Sequence, residues 1–227
     1  MTEIPEKICK YGRVLNNTFR LSGINGDINL ELPVALNINN ILYNSNITSV
    51  SKLDAPNATE STNIFDTCLL LETVKGVNAP NSTKASSIFR SCRSLKTIDK
   101  VYFPKATTYT LAFNGCSALT SIGSLDFTYA WKNGIYGSNG LETEPNAYAD
   151  TGNITHAIYS GSIGSYLIYD RLCELNPLDA ESVASLVNCL EAQGQPYTLK
   201  LHSTAYKNLT SALISAATSK NWTLVSA

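Results

Sequence analysis

The feature that most constrains this chain is a step of 24 residues. Phe65, Phe89 and Phe113 keep it, as do Cys68, Cys92 and Cys116, and Leu71, Leu95 and Leu119. Val74, Ile98 and Ile122 follow in phase, then Val77, Val101 and Leu125. Pro56, Pro80 and Pro104 repeat with Thr59, Thr83 and Thr107 behind them. A fixed period of this length belongs to architectures that stack one unit on the next. A weaker copy precedes, with Ile41, Ile47, Val50 and Leu53 in register and Asn44 at the cysteine position. An eroded copy is expected earlier still, with Ile24, Leu30 and Pro33 about one residue out of step.

The spacing dictates the physics. Leu, then a β-branched residue three on, then an apolar residue three further, make one short strand with its turns. One such unit cannot bury its apolar face alone. Stacked units can, with paired strands about 4.8 Å apart. Each fully buried Leu or Ile then contributes roughly 1.5–3 kcal/mol. The first and last units keep an open face, so caps are expected.

Composition fits such a stack. Hydrophobic residues make up 44% of the 227 residues, enough for a continuous core, while charged residues are 15%. That share is well below the usual quarter, so the polar surface must be Asn, Ser, Thr and Gly, the residues that close turns. The net charge of −1 provides no basic stripe, which excludes a nucleic-acid partner. No apolar run approaches a membrane span, and residues 1–7 lack an apolar segment, so neither a membrane partner nor a signal peptide is expected.

Six cysteines invite a disulfide reading: Cys9, Cys68, Cys92, Cys116, Cys173 and Cys189. Geometry opposes it for the central three. Equivalent side chains on successive units point the same way about 5 Å apart, whereas a disulfide holds its Cβ atoms near 3.8 Å. A buried ladder of small apolar thiols is expected instead. No CxxC is present and the two histidines, His156 and His202, lie far along the chain, so no metal site is expected. No phosphate loop, dinucleotide motif or GxSxG stands in the sequence, so no cofactor and no catalytic residue is assigned. The chain reads as a binding protein and not as an enzyme.

After Phe127 the period is lost. Residues 128–170 are rich in glycine and aromatics, and Tyr129, Trp131, Tyr136 and Tyr148 are the candidate binding residues. Exposed Tyr and Trp on a rigid scaffold are favoured contact anchors. The competing reading makes this stretch a distorted repeat whose aromatics fill its own core. The two differ in what Trp131→Ala does: the contact reading expects an almost unchanged melting point.

The remainder reads as a cap. A helix is predicted over 178–192, with Asp179 as N-cap, an apolar stripe of Val183, Leu186, Val187 and Leu190, and Gly194 to stop it. Tyr197, Leu199 and Leu201 alternate as a strand. A second helix turns Leu209, Leu213, Ile214 and Ala217 inward, and Trp222 and Leu224 sit on a last strand.

The stretch from Ala112 to Ile122 (AFNGCSALTSI) resembles the repeat of BspA-like leucine-rich-repeat proteins, with its AF-x-x-C-x-x-L-x-x-I core, and residues 88–95 match it almost as well. The resemblance spans residues 41–127. It implies a β-rich α/β fold, a right-handed leucine-rich-repeat solenoid. Residues 1–40 would form an N-terminal cap, 41–127 the repeats, 128–170 an irregular insertion and 171–227 a capping unit. The tail, ending in NWTL, is similar to the C-terminal unit of leucine-rich-repeat proteins encoded by gut bacteria and their phages. Here His202 stands where that pattern has Gly. The family implies adhesion or partner binding and transfers no catalytic residue. The implied role is a phage virion structural or host-recognition protein, in a tail or on a head surface. The alternative is a bacterial surface or secreted adhesin. Partners would be other virion or surface proteins, or a host receptor or glycan, with a homo-oligomer left open.

Overall fold

The computed structural model describes residues 6–133, 135–137, 140–142, 148, 151, 154–169 and 172–227. A short helix α1 (Glu6–Tyr11) leads into strands β1 (Asn25–Glu31) and β2 (Asn46–Asp54). The next two passes each make two short pieces, β3 (Thr73–Val74) with β4 (Val77–Asn78), and β5 (Thr97–Ile98) with β6 (Val101–Tyr102). Strand β7 (Ser121–Asp126) follows, then α2 (Thr128–Asn133), an antiparallel hairpin β8 (Ile135–Gly137) and β9 (Gly140–Glu142), and β10 (His156–Tyr159). Strands β1 to β7 and β10 form one parallel sheet, so the fold is sheet-rich α/β.

The register is the sequence period made visible. Val50, Val74, Ile98 and Ile122 pair in succession, and so do Leu53, Val77, Val101 and Leu125. All eight are buried, while the residues between them face outward. Each pass buries one face only because the next pass covers the core from the side.

Two left-handed corners mark each of the first five passes and count those units better than the side chains do. One series is Asn17, Asn40, Asn63, Ser87 and Leu111, and the other is Leu21, Asn44, Thr67, Ser91 and Gly115, all at positive φ. The step is 23 residues from Asn17 to Asn40 to Asn63, and 24 from Asn63 to Ser87 to Leu111. The early copy is therefore one residue short, as Ile24, Leu30 and Pro33 imply. Leu30 pairs with Leu53, a step of 23.

This shift corrects the second copy. The Leu42 N–H donates to Ile64 O as the Phe65 N–H donates to Ile88 O. Leu42, not Ile41, thus stands in the phenylalanine column, and Ser45, not Asn44, stands at the cysteine position. Asn44 takes a corner at φ 50°. The missing residue lies between Ser45 and Ile47, so the strand positions after it keep the step of 24.

The core is a set of columns. Phe65 stacks on Phe89 at 5.4 Å between ring centroids, and Phe89 on Phe113 at 5.6 Å. Each pair gains about 0.5–1.5 kcal/mol beyond its burial. Beyond Phe113 the column goes on to Tyr148, stacked at 5.2 Å. Thr151, Ile154 and Ala157 then take the cysteine, leucine and isoleucine positions. Thr151 N–H donates to Tyr148 O and Ile154 N–H to Thr151 O, matching Cys116 to Phe113 and Leu119 to Cys116. A sixth unit therefore closes the stack, displaced along the chain by an insertion that includes the β8–β9 hairpin.

The C-terminal part comprises a 3-10 helix (Ser165–Tyr169), α3 (Leu172–Leu175), α4 (Ala180–Cys189), β11 (Tyr197–Leu201), α5 (Ser203–Lys207), α6 (Ser211–Thr218) and β12 (Trp222–Ser226). Asp179 N-caps α4, as the sequence predicts. The helix stops earlier than residue 192 because Leu190 turns extended and bridges to Ile163; Gly194 lies beyond. β11 and β12 pair in parallel as a separate sheet, with Trp222 buried and its Nε1 donating to Glu191 O. Ile214 faces solvent instead of the core, since α6 turns only Ala217 fully inward. His202 accepts the Thr204 N–H at its Nδ1 and so caps α5 in place of the expected glycine turn. No described helix is long and apolar enough to cross a membrane.

Candidate interaction surface

The four candidate aromatics separate. Trp131 is fully buried on α2, edge-on to Phe127 at 6.2 Å and tilted against Tyr159 at 5.7 Å. Tyr148 is buried in the phenylalanine column. Both are corrected from contact residues to core residues: the sixth unit needs large rings to continue the aromatic columns of the fifth. Tyr129 is 39% exposed on the outer side of α2, where its N–H donates to Pro104 O. Tyr136 pairs with Leu141 across the hairpin, and its side chain lies outside the described residues. The structure therefore does not gather the four into one patch.

An ordered surface is the outer face of the parallel sheet. One row runs Ser49, Thr73, Thr97, Ser121 and His156 by register. Another runs Glu31, Asp54, Asn78 and Tyr102, and ends at Asp126, which is buried. Asn78 Nδ2 donates to Asp54 Oδ1 at 2.6 Å, and Lys100 lays its Nζ 4.8 Å from the centre of the Tyr102 ring. Lys75 and Asp99 form an exposed ion pair at 3.3 Å between neighbouring passes. Asp126 Oδ1 accepts the Thr128 N–H at 2.9 Å and its hydroxyl at 2.7 Å. Gly161 is required beside it. Its φ is +85°, and a Cβ there would lie 2.1 Å from Thr128 Oγ1 and 2.9 Å from both Asp126 oxygens. At the first pass, slight burial would raise the Asp27 carboxyl, but the Ser51 and Ser49 hydroxyls bond it and hold it below its ordinary value.

Sequence reasoning missed this face. Its signal was the position on either side of each buried strand residue, where the period says only that the side chain points out. What the face offers is a field of hydroxyls, amides and carboxylates with lysines beside them, and the rings of Tyr102 and His156. Such a surface can hydrogen-bond a polar ligand in many registers.

The reactive groups serve the fold. Cys68, Cys92 and Cys116 are buried, and their Sγ–H groups donate to the carbonyls of Leu42, Phe65 and Phe89 on the pass before, at 3.0–3.1 Å. Burial pushes all three thiols up, Cys116 to about 12, so none supplies a thiolate near neutrality. His156 Nδ1 lies 2.8 Å from Asp179 Oδ2, and Ser182 Oγ donates to Asp179 Oδ1 at 2.6 Å. The three residue types are those of a hydrolytic triad, but the order of bonds is not. Ser182 bonds the carboxylate instead of the imidazole, and its oxygen accepts the Ala157 N–H at 2.8 Å. Among the described residues no three His, Cys, Asp or Glu side chains converge on one point.

The chain matches no family model, no curated protein and no solved structure.

Proposed function

We propose that this chain is a right-handed leucine-rich-repeat solenoid of the BspA-like kind, acting as a non-catalytic binding module. The observation that carries the reading is the division of labour in the stack. Thiols and the His–Asp pair are tied into the fold, while an ordered polar face of six passes is left outward on a rigid sheet. A scaffold with locked columns can hold such a face without ordering cost on binding. The side chains set on it, not the fold, define the partner.

We place the protein on the virion of a phage of gut bacteria, as a tail or head-surface component that meets other virion proteins or a host receptor or glycan. The support is the similarity of its repeat and of its NWTL tail to proteins encoded by such bacteria and phages. Quantitative mass spectrometry of purified particles, set against host envelope and culture-medium fractions, tests the placement. A fixed copy number in particles is the expected result. Enrichment on the envelope with absence from particles overturns it in favour of a bacterial surface adhesin.

A further inference from the structure

Two columns that flank the outer corner of the stack change character at its first passes. The first contains Arg13, Leu36, Thr59, Thr83 and Thr107. Backbone bonds fix that alignment, from Leu36 N to Arg13 O, Thr59 N to Leu36 O, Thr83 N to Thr59 O and Thr107 N to Thr83 O. The second contains Val34, Asn57, Asn81 and Lys105. In the later passes both columns are closed by side chains bonded from pass to pass. Thr83 and Thr107 hydroxyls donate to the carbonyls of Thr59 and Thr83, Asn81 donates to Pro56 O, and Lys105 to Asn81 Oδ1.

At the first passes the pattern is broken in a consistent direction. Leu36 and Val34 replace Thr and Asn and stay exposed. Between them lies a recess of about 300 Å³ lined by Arg13, Val34, Leu36 and Asn57. Lys10, Arg13 and Arg20 are the charged residues between positions 9 and 26, and Arg13 has neither an ion pair nor a side-chain hydrogen bond among the described residues. In the middle passes, by contrast, Lys52, Lys75, Lys84, Arg90 and Lys96 all meet a carboxylate. Asn57 gives its Nδ2 to Pro33 O, which fixes the amide and leaves Oδ1 turned away from that bond as an acceptor.

We propose that this corner docks a polypeptide partner that presents a carboxylate beside a leucine-sized side chain, as a C-terminal leucine does. The apolar side chain enters between Val34 and Leu36. The carboxylate meets the Arg13 guanidinium, which is unpaired among the described residues and whose fork is suited to a bidentate pair. The partner's peptide N–H bonds Asn57 Oδ1, a contact that a free aliphatic acid cannot make. The walls are preformed, since Arg13 O and Leu36 O both carry backbone bonds from the next pass. The inference rests on the binding-module reading but not on the virion placement, and its failure leaves the particle measurement untouched.

The test is an amide-resolved NMR titration of the full chain with N-acetyl-leucine, N-acetyl-leucinamide and 4-methylpentanoate. Saturable shifts confined to the segments around Arg13, Val34, Leu36 and Asn57 are expected with N-acetyl-leucine. The neutral amide and the acid lacking a peptide group should each bind about tenfold more weakly, about 1.4 kcal/mol. Arg13→Gln should weaken N-acetyl-leucine by a similar factor. The double variant Val34→Asn with Leu36→Thr rewrites the corner in the pattern of the later passes, so it should fold and lose the saturable shifts. Shifts that stay linear or scatter over the chain overturn the site. Equal binding of acid and amide removes the role of Arg13, and equal binding of 4-methylpentanoate removes the polypeptide partner; either overturns the proposal.

Discussion

Ser61 occupies a column that elsewhere holds Leu15, Ile38, Ala85 and Tyr109. It is fully buried, and its hydroxyl has no hydrogen-bond partner among the described residues. A buried hydroxyl left unbonded costs about 1–3 kcal/mol. Ser61→Ala should therefore raise stability by about 1 kcal/mol, once the small lost contact is deducted. Urea unfolding should show a higher midpoint at an unchanged slope, and a lower midpoint would mean that a partner bonds Ser61. Trp131 carries the opposite lesson. Its burial against Phe127 and Tyr159 means that Trp131→Ala opens a large cavity and costs about 3–5 kcal/mol. A melting point close to that of the parent chain would restore it to the contact surface. Phe, Cys and Leu at a constant step were legible because three passes repeat them side by side. Trp131 and Tyr148 were not, because a single displaced unit offers no second copy against which to phase them. Composition says only that an aromatic is present, not which side of the sheet it takes.

Helix α4 substitutes for a seventh pass. A parallel edge strand presents backbone N–H groups that need acceptors. On β10 the Ser182 and Ser185 hydroxyls accept the Ala157 and Tyr159 N–H groups at 2.8 and 3.1 Å, while Asp179 N–H donates back to Thr155 O at 2.7 Å. Helix side chains thus complete the ladder that a strand would otherwise complete. The sequence showed the helix and its cap residue but not this role, since serines inside an amphipathic stripe carry no sign of which strand they face. Ser182→Ala and Ser185→Ala together should weaken the cap and speed hydrogen exchange at Ala157 and Tyr159 before the central strands; unchanged exchange there would refute the ladder. Asp179 adds a pH dependence. Partial burial would raise its carboxyl, but the bonds from the Ser182 hydroxyl and N–H and from His156 outweigh that and hold it below the ordinary 3.8. A depressed carboxyl contributes stability that is fully present above its unfolded value and is lost as pH falls through its folded one. The stability that Asp179 contributes should be lost as pH falls below 3.8, and Asp179→Asn should flatten that part of the acid-unfolding curve. An identical acid profile for the variant would show that the capping bonds do not couple to folding.

At the scale of the molecule the decisive property is that, among the described strands of the parallel sheet, each pass pairs with the one before and the one after. Val74 pairs with Val50 and Ile98, and Val77 with Leu53 and Val101. The Phe, Cys and Leu columns repeat unchanged over the third, fourth and fifth passes, so those layers of the two interfaces are alike, while the column of Ser61, Ala85 and Tyr109 differs between them. Stability should then be close to a sum of unit and neighbour contributions. The sequence showed this modularity through its period, but not where the count changes from 23 to 24, because the change falls at the corner between Ser45 and Ile47 where one residue is absent and no side chain marks it. Excising residues 72–95 tests the property directly. It joins Leu71 to Lys96, which occupies the place of Glu72 one pass later, so every column stays in phase. The shortened chain should fold, keep its far-ultraviolet circular dichroism shape and unfold in one transition. Its denaturant slope should drop by about the share of buried surface removed. Excising residues 72–91 instead takes out a similar length but throws Phe113, Cys116 and Leu119 out of line with Phe65, Cys68 and Leu71. That variant should fail to give a cooperative transition, because a register error buries polar corners and exposes the columns. If both excisions unfold the chain alike, the passes are not interchangeable, and the columns hold the fold together through contacts longer than one step.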